Sequence, residues 1–582
     1  MRPIASVLVA CAGLVLAACV GERTSPVSER ASPVAALAGG IARVDAAYRQ
    51  LHELRRAYLA LPVPSTGTVL HVDAGHGDDA GDGSTAHPFR TIGRALSLVA
   101  PGVRVVLHAG VYREQVSPGV SGTAQAPIIL EGAPGERAVI SGAEPVARWR
   151  PLGDGRWCVD GWEVDSQQVF QDGVPLLQIG PGCMTDDPGA APAPGAPPLW
   201  RNYLPPVGGG PDDLVPGSFR YQADERRLYL RPLADADPNR VAIEVAVRDA
   251  AIRPVHGDIS YWHLRNLVCE RNTYGTRHRR YGGAGVVTVR GRGWVVDGCT
   301  LRQADITGLH INGQDHLVLG CNLVANGAQG FVVTGGPLPG ATFTPGGILI
   351  HDCLVAGNNQ RGFDYHHEAG GNKLASSVRT VIERCALVHN RGPGIWYDID
   401  NADFLITRCL VGWNVQGIHI EISRGTGLVL GNLVVGHHHQ GVYISGSGGN
   451  AVAGNAILRN RWGLVVHGMP RYRADLARTY LDGHAGYDRV TEAARLAEEG
   501  RTLMPLYDNF ASGNLIADNR DTQTVLYTGR GSHGNRLWAN WYQPGGSGLA
   551  LSAAGYRPNC ATLAEAQALG QEQDSVEAAT GL

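Results

Sequence analysis

What this chain lacks narrows its function before any motif is read. Its 582 residues include one lysine, Lys373, and carry a formal net charge of −3. There is no basic run, which argues against nucleic acid as the main partner. No Cys/His spacing matches a zinc site. Beyond the N-terminus no apolar run reaches the ~18 residues of a membrane span. Glycine is plentiful, at 79 residues, but follows no collagen period, so it speaks for many tight turns.

The N-terminus carries a targeting pattern. Met1-Arg2 supplies positive charge, Ile4 to Leu16 is largely apolar, and Ala17-Ala18-Cys19 follows. This reads as a secretory signal, too short for a span and followed by polar sequence. The small residues before Cys19 resemble a bacterial lipobox, which implies cleavage there and a lipid on the Cys19 thiol. The expectation is an exported protein held in the periplasm or at the outer membrane, touching the membrane only through that lipid. Export permits disulfides, but five of the eleven cysteines fall in one column described below, where free buried thiols are the preferred reading.

Seven glycines recur in one phrase: Gly308, Gly330, Gly362, Gly394, Gly417, Gly441 and Gly463, at spacings of 22, 23, 24 and 22 with two gaps of 32. A period of this size marks a repeat architecture whose units bury their faces against their neighbours. Counting each glycine as zero, positions one and three are apolar or aromatic (Leu309/Ile311, Phe363/Tyr365, Ile395/Tyr397, Ile418/Ile420). In a strand these share one side and face inward. Positions two and four then face outward, and include Asp364/His366, Trp396/Asp398, His419/Glu421 and Tyr443/Ser445. A second column, Cys299, Cys321, Cys353, Cys385, Cys409, Asn432 and Asn455, runs eight or nine residues ahead of the glycines. The coil around Gly285 is one residue out of phase.

These patterns predict an all-β chain: a right-handed parallel β-helix with an inserted β-sandwich-like module and an N-terminal capping helix. The expected divisions are a signal peptide over 1–19, tether and helix over 20–66, cap and first coils over 67–146, the inserted module over 147–248, main coils over 249–470, and C-terminal coils with a helical cap over 471–582. Residues 41–61 have helical periodicity, Thr91 to Val99 reads as the short capping helix, and helical sequence is expected over 470–500 and again at Thr562–Ala566. Asp305, Asp315 and the Gly/Asp run 75–83 read as turn residues, and His437-His438-His439 as a solvated turn.

Asp398 and Glu421 are one coil apart in one outward position, so stacking at ~4.8 Å brings two carboxylates together. Paired carboxylates that split into an acid and an anion are what glycosidic cleavage needs, and a short separation suits retention of configuration. Asp364, His366, Trp396, Asp400, His419 and Tyr443 are expected around them, with Glu368 and Lys373 on an insertion walling the groove; these are the expected sugar-binding residues. No cofactor is expected. Calcium is the competing reading, because carboxylates near Asp400 are hard oxygen ligands.

The stretches Gly394-Ile395-Trp396-Tyr397-Asp398 and Gly417-Ile418-His419-Ile420-Glu421-Ile422-Ser423, with His366-His367-Glu368-Ala369-Gly370-Gly371 one coil earlier, resemble the catalytic coils of the β-xylosidases of glycoside hydrolase family 120. The resemblance implies Asp398 as nucleophile and Glu421 as acid/base, on a β-helix with an inserted sandwich. The expected function is a secreted glycoside hydrolase acting on a carbohydrate by double displacement. Two rivals stand beside it. One is a polysaccharide lyase using Lys373, His366 or Arg424 on a uronate. The other is a non-catalytic glycan-binding β-helix.

Overall fold

The structure, a computed structural model, describes residues 33–60, 67–179, 210–255, 259–274, 285–334, 346–366, 368–468, 508–527, 535–543, 563–568 and 576–577. The lipobox with Cys19, residues 188–209 of the Pro/Gly-rich stretch expected over 188–216, and the expected helical sequence at 470–500 lie outside the described residues.

Each coil contributes three short parallel strands, as in Pro393–Asp398, Phe404–Thr407 and Leu410–Gly412. The next coil begins at Gln416 and pairs Ile395 with Ile418 and Asp398 with Glu421. The other two faces continue in step, Leu405 beside Leu428 and Val411 beside Val434. Positions one and three point inward as the alternation requires: Leu309, Phe331, Ile395, Ile418, Val442 and Leu464 are wholly buried. The fold is a right-handed parallel β-helix, and its interior is one continuous apolar column.

The repeated glycine has a steric cause. A Cβ on Gly394 would stand 2.6 Å from Asn414 Nδ2, and one on Gly441 would stand 2.6 Å from Asn460 Nδ2. Those amides belong to a buried ladder at the preceding corner. Asn326 Nδ2 donates to Asn358 Oδ1 (2.9 Å), Asn358 to Asn390 (2.8 Å) and Asn390 to Asn414 (2.9 Å). Such a ladder satisfies corner backbone groups that no sheet can reach. His437 takes the amide's place in the next coil, its Nδ1 accepting from Asn414 N at 3.1 Å. It is therefore buried and not a solvated turn residue; His438 is exposed. The column of cysteine and asparagine is a second ladder, with Asn432 Nδ2 donating to Asn455 Oδ1 at 3.0 Å. Its five cysteines are free buried thiols, as are Cys158 and Cys269.

One register expectation fails. Gly330 is followed in the stack not by Gly362 but by Gly371, because Phe331 pairs with Asn372 and Val332 with Lys373. Residues 359–366 and 368–369 lie in the inserted loop, and Gly370–Ala375 is the strand. Asp364 and His366 therefore leave the outward column, and Lys373 joins it. The sequence misleads because Gly-Phe-Asp-Tyr-His copies the apolar alternation; only the asparagine ladder separates true from false, since the Cβ of Gly371 would meet Asn390 Nδ2. The coil at Gly285 is out of phase by one residue, as its valines suggest: Val287 pairs with Leu309, so Val286 occupies the glycine position.

The helix Pro33–Ala60 lies across the outside of the second face. Leu37, Val44, Leu51 and Tyr58, spaced by sevens, are buried against Leu317, Leu349, Val381, Leu405 and Leu428. Seven residues rise ~10.5 Å, close to two coils at ~4.8 Å each, so the repeat of the helix matches the pitch of the sheet. Tyr58 Oη donates to Asp297 (2.6 Å) and Arg43 meets Asp403 (2.9 Å). The short helix Ile92–Leu96 buries Ile92 and Ala95 against the first coils. Glu114 accepts its first two amides at 2.9 Å each. Between the first and main coils, two small sheets share a core of Trp149, Val169, Phe219, Leu228, Leu230 and Val245. Asp78 and Asp82 cap turns in the Gly/Asp run. Asp305, by contrast, is buried and ion-paired with Arg361. Among the described residues no helix is long and apolar enough to cross a membrane.

Candidate active site

Two outward columns of the first face carry the chemistry. One runs Val332, Lys373, Trp396, His419, Tyr443; the other runs Thr334, Ala375, Asp398, Glu421, Ser445. Asp398 and Glu421 are direct lateral neighbours, set apart by one strand spacing, ~4.8 Å between backbones. The column is less open than its polarity suggests. Asp398 is 6% exposed, Lys373 7%, Trp396 2% and His419 7%, while Glu421 and Tyr443 are half-buried.

Bonds between the columns follow one diagonal, from a residue in the first to the residue two places on and one coil later in the second. Lys373 Nζ stands 2.9 Å from Asp398 Oδ2. Trp396 Nε1–H donates to Glu421 Oε2 at 3.1 Å. His419 Nε2 lies 3.5 Å from Ser445 Oγ, and four coils earlier His310 Nε2 lies 2.6 Å from Thr334 Oγ1. The two acids thus take different partners from one geometric rule: one meets a cation, the other a neutral donor.

The aromatic column is stacked on itself. Trp396 and His419 lie 5.6 Å apart at 7°, His419 and Tyr443 4.6 Å apart at 18°. The Lys373 ammonium sits 4.2 Å over the Trp396 ring, a cation–π contact. Their faces are turned to one another, and their edges to the acids. Burial lowers His419 to about 3, helped by Lys373 and His366, so its imidazole is neutral. Burial also opposes the charge of Lys373, but Asp398, Glu368 and Glu421 outweigh it and hold the ammonium above the ordinary lysine range.

Glu368, on the inserted loop, reaches Lys373 at 3.3 Å. Asp364 and His366 bond each other at 3.0 Å on the same loop, with His366 largely exposed. The strand ends at Asp398: Ile399 and Asp400 turn to φ 47 and 62. Asp400 is therefore placed by a corner, with its N–H on Ile422 O at 2.9 Å, and not by the pleat that the alternation assumed. Among the described residues no three His, Cys, Asp or Glu side chains converge as a metal-holding group.

Support for the acids comes from residues that carried no functional signal. Asn401 Nδ2 donates to Asp398 O at 2.7 Å, Ser423 Oγ to Glu421 O at 3.1 Å, and Ser377 Oγ to Asn401 Oδ1 at 2.7 Å. Ile399 and Ile422, each directly after an acid, both hold φ 47, a left-handed conformation costly for a β-branched residue. A third polar ladder, Ser377, Asn401, Ser423 and Ser447, thus pins the chain where the acids emerge. A column of small polar residues two or three places after each outward acid was the available signal.

The profile of a family described as "Right handed beta helix region" matches residues 284–457, and "Protein of unknown function (DUF1565)" matches residues 75–120. No curated protein matches the sequence. Among solved structures, the complex of XylC with xylose aligns at 16% identity and TM-score 0.58, covering 88% of this chain and 86% of its own. One described as a glycoside hydrolase aligns at 14% and 0.45, covering 88% and 96%. A mannuronic acid specific polysaccharide family 6 lyase from human gut microbiota aligns at 12% and 0.47, covering 88% and 87%. The XylC likeness is one of fold, and it agrees with the coils described above: the chain has the right-handed parallel β-helix fold.

Proposed function

We propose that this protein is a retaining glycoside hydrolase of xylosidase-like type, exported and lipid-anchored through Cys19, that cleaves oligo- or polysaccharides without a cofactor. The observation that carries the reading is the pair Asp398 and Glu421, side by side on adjacent coils, one ion-paired with the only lysine of the chain and the other bonded by an indole N–H. A separation near one strand spacing matches the ~5–5.5 Å of retaining enzymes. Asp398 attacks the anomeric carbon while Glu421 gives its proton to the departing glycosidic oxygen. Glu421 then takes a proton from water, whose oxygen displaces Asp398 from the sugar. Lys373 orients Asp398, and Trp396 orients Glu421. Glu368, His366, Asp364, Asp400, His419 and Tyr443 surround the sugar in this reading.

The lyase reading needs a neutral base beside a uronate carbon. Lys373, held as an ammonium by three carboxylates, is a poor one. Of the other bases considered, His366 is tied to Asp364, and the side chain of Arg424 lies outside the described residues. The test is turnover of a panel of aryl glycosides, beginning with 4-nitrophenyl β-xyloside, with proton NMR of the first-formed product. Product that keeps the substrate's anomeric configuration supports the reading. An inverted product, or an unsaturated one absorbing in the ultraviolet, overturns it.

A further inference from the structure

From the coil of Glu421 onward the first face changes character. The strands of Lys373 and Asp398 open on Gly370 and Pro393, whereas the next three open on Gln416, Gln440 and Trp462. These opening residues stack in register, Pro393 beside Gln416 and Gln440 beside Trp462. Gln416 Nε2 donates to Gln440 Oε1 at 3.1 Å. The ring of His439, at the corner before Gln440, lies 6.0 Å from that of Trp462 and 6.3 Å from that of Tyr365. Tyr365 belongs to the inserted loop. That loop joins the stack at Gly370, so it reaches a corner three coils farther on, ~14 Å along the axis, and borders the column of opening residues. Exposure follows the same divide. Lys373, Trp396 and Asp398 are buried, while Glu421, Tyr365, Gln416, Gln440, Tyr443 and Trp462 are all half-buried and open to solvent.

We infer that Gln416, Gln440, Trp462 and Tyr365 form a subsite for a sugar of the leaving group, so that the substrate is a neutral oligosaccharide longer than a disaccharide. The inference rests on the hydrolase reading above. Its side follows from the acids. Glu421 protonates the departing oxygen, and this shelf begins in the coil of Glu421 and runs on away from Asp398. Its distance follows from the strand. Gln416 and Glu421 are five residues apart, ~16 Å, so the shelf meets a sugar beyond the one at the cleaved bond. Its chemistry suits such a ring. Each amide offers donors and an acceptor to sugar hydroxyls, and the rings of Tyr365 and Trp462 offer apolar surface to the C–H face of a pyranose. Arg461 lies 4.4 Å over the Trp462 ring, but Asp521 holds it at 2.6 Å. The charge of that guanidinium is therefore already matched, which favours a neutral sugar over a uronate.

Gln440→Ala and Trp462→Ala test the subsite, with Trp462→Phe as the conservative change. The readout is the chain-length gain: kcat/KM on β-1,4-xylohexaose divided by kcat/KM on β-1,4-xylobiose, which is too short to reach the shelf. Expected is a gain about tenfold smaller in each alanine variant, equivalent to ~1.4 kcal/mol, and largely kept in Trp462→Phe. An unchanged gain in either alanine variant, or no gain in the unchanged protein, overturns the subsite. If the unchanged protein hydrolyses neither substrate, the proposed function falls separately. Calorimetry of xylohexaose on the unchanged protein and on Gln440→Ala then decides the subsite alone: weaker binding in the variant supports it, and equal binding or none overturns it.

Discussion

Lys373 Nζ lies 2.9 Å from Asp398 Oδ2, and the same ammonium reaches Glu368 at 3.3 Å and covers the face of Trp396. One cation therefore serves an acid of the proposed site, a carboxylate of the inserted loop and the top of the aromatic stack. Replacing it by methionine leaves the buried Asp398 and the half-buried Glu368 without their counter-charge. Lys373→Met should cost about 3–5 kcal/mol, read from denaturant melts. Adding Glu368→Gln should return part of that loss, because one stranded charge is removed.

Asp398→Asn should reduce turnover to background, since an amide does not attack the anomeric carbon. Glu421→Gln should lower kcat by about 10³-fold through loss of proton transfer. In Glu421→Ala, azide should restore turnover and give a glycosyl azide that keeps the anomeric configuration of the substrate. Circular dichroism melts should show both amide variants folded; full activity in either would remove that residue from its role.

Five buried histidines set an acid limit on stability. Burial is the first cause in each case, and it lowers His263 and His419 to about 3 and His310, His316 and His437 to about 4. Their ordinary value is 6.5, so between about pH 6.5 and 4 the unfolded chain binds protons that the folded chain refuses. Their contribution is complete above that window and falls as pH drops through it, by ~1.4 kcal/mol per pH unit for each histidine. Melting temperatures taken between pH 7 and 4.5 should fall steeply below pH 6. A flat profile would mean these rings gain protons without unfolding.

Ile422 is half-buried and holds φ 47 directly after Glu421. Glycine adopts that conformation without strain. Ile422→Gly should therefore raise stability by about 1 kcal/mol while lowering kcat, because the corner that aims Glu421 is loosened. Thermal melts and initial rates on one preparation measure both.

Much of this was legible in order alone. Gly394-Ile-Trp-Tyr-Asp and Gly417-Ile-His-Ile-Glu lie one period apart, so the register of Asp398 on Glu421 followed from counting. The cysteine and asparagine column likewise followed from its phase. Gly362 was misread because a loop residue next to an aromatic alternation is indistinguishable from a strand by periodicity. That single error put Asp364 and His366 where Lys373 and Ala375 belong. Asp400 was misplaced because period-two counting has no way to register a left-handed corner. Burial of the outward column was also illegible, since alternation says which side a residue faces and nothing about what covers it.

The amino-acid order determined the coil, the period and the pairing of the two acids, because a solenoid turns a fixed spacing in the chain into a fixed neighbour in space. The tertiary structure decided which donor each acid receives, that the rings stack on each other, and that Asn401 and Ser423 pin the corners. Those outcomes depend on the diagonal between neighbouring strands and on loop residues arriving from other coils, and neither is a function of spacing along a single strand.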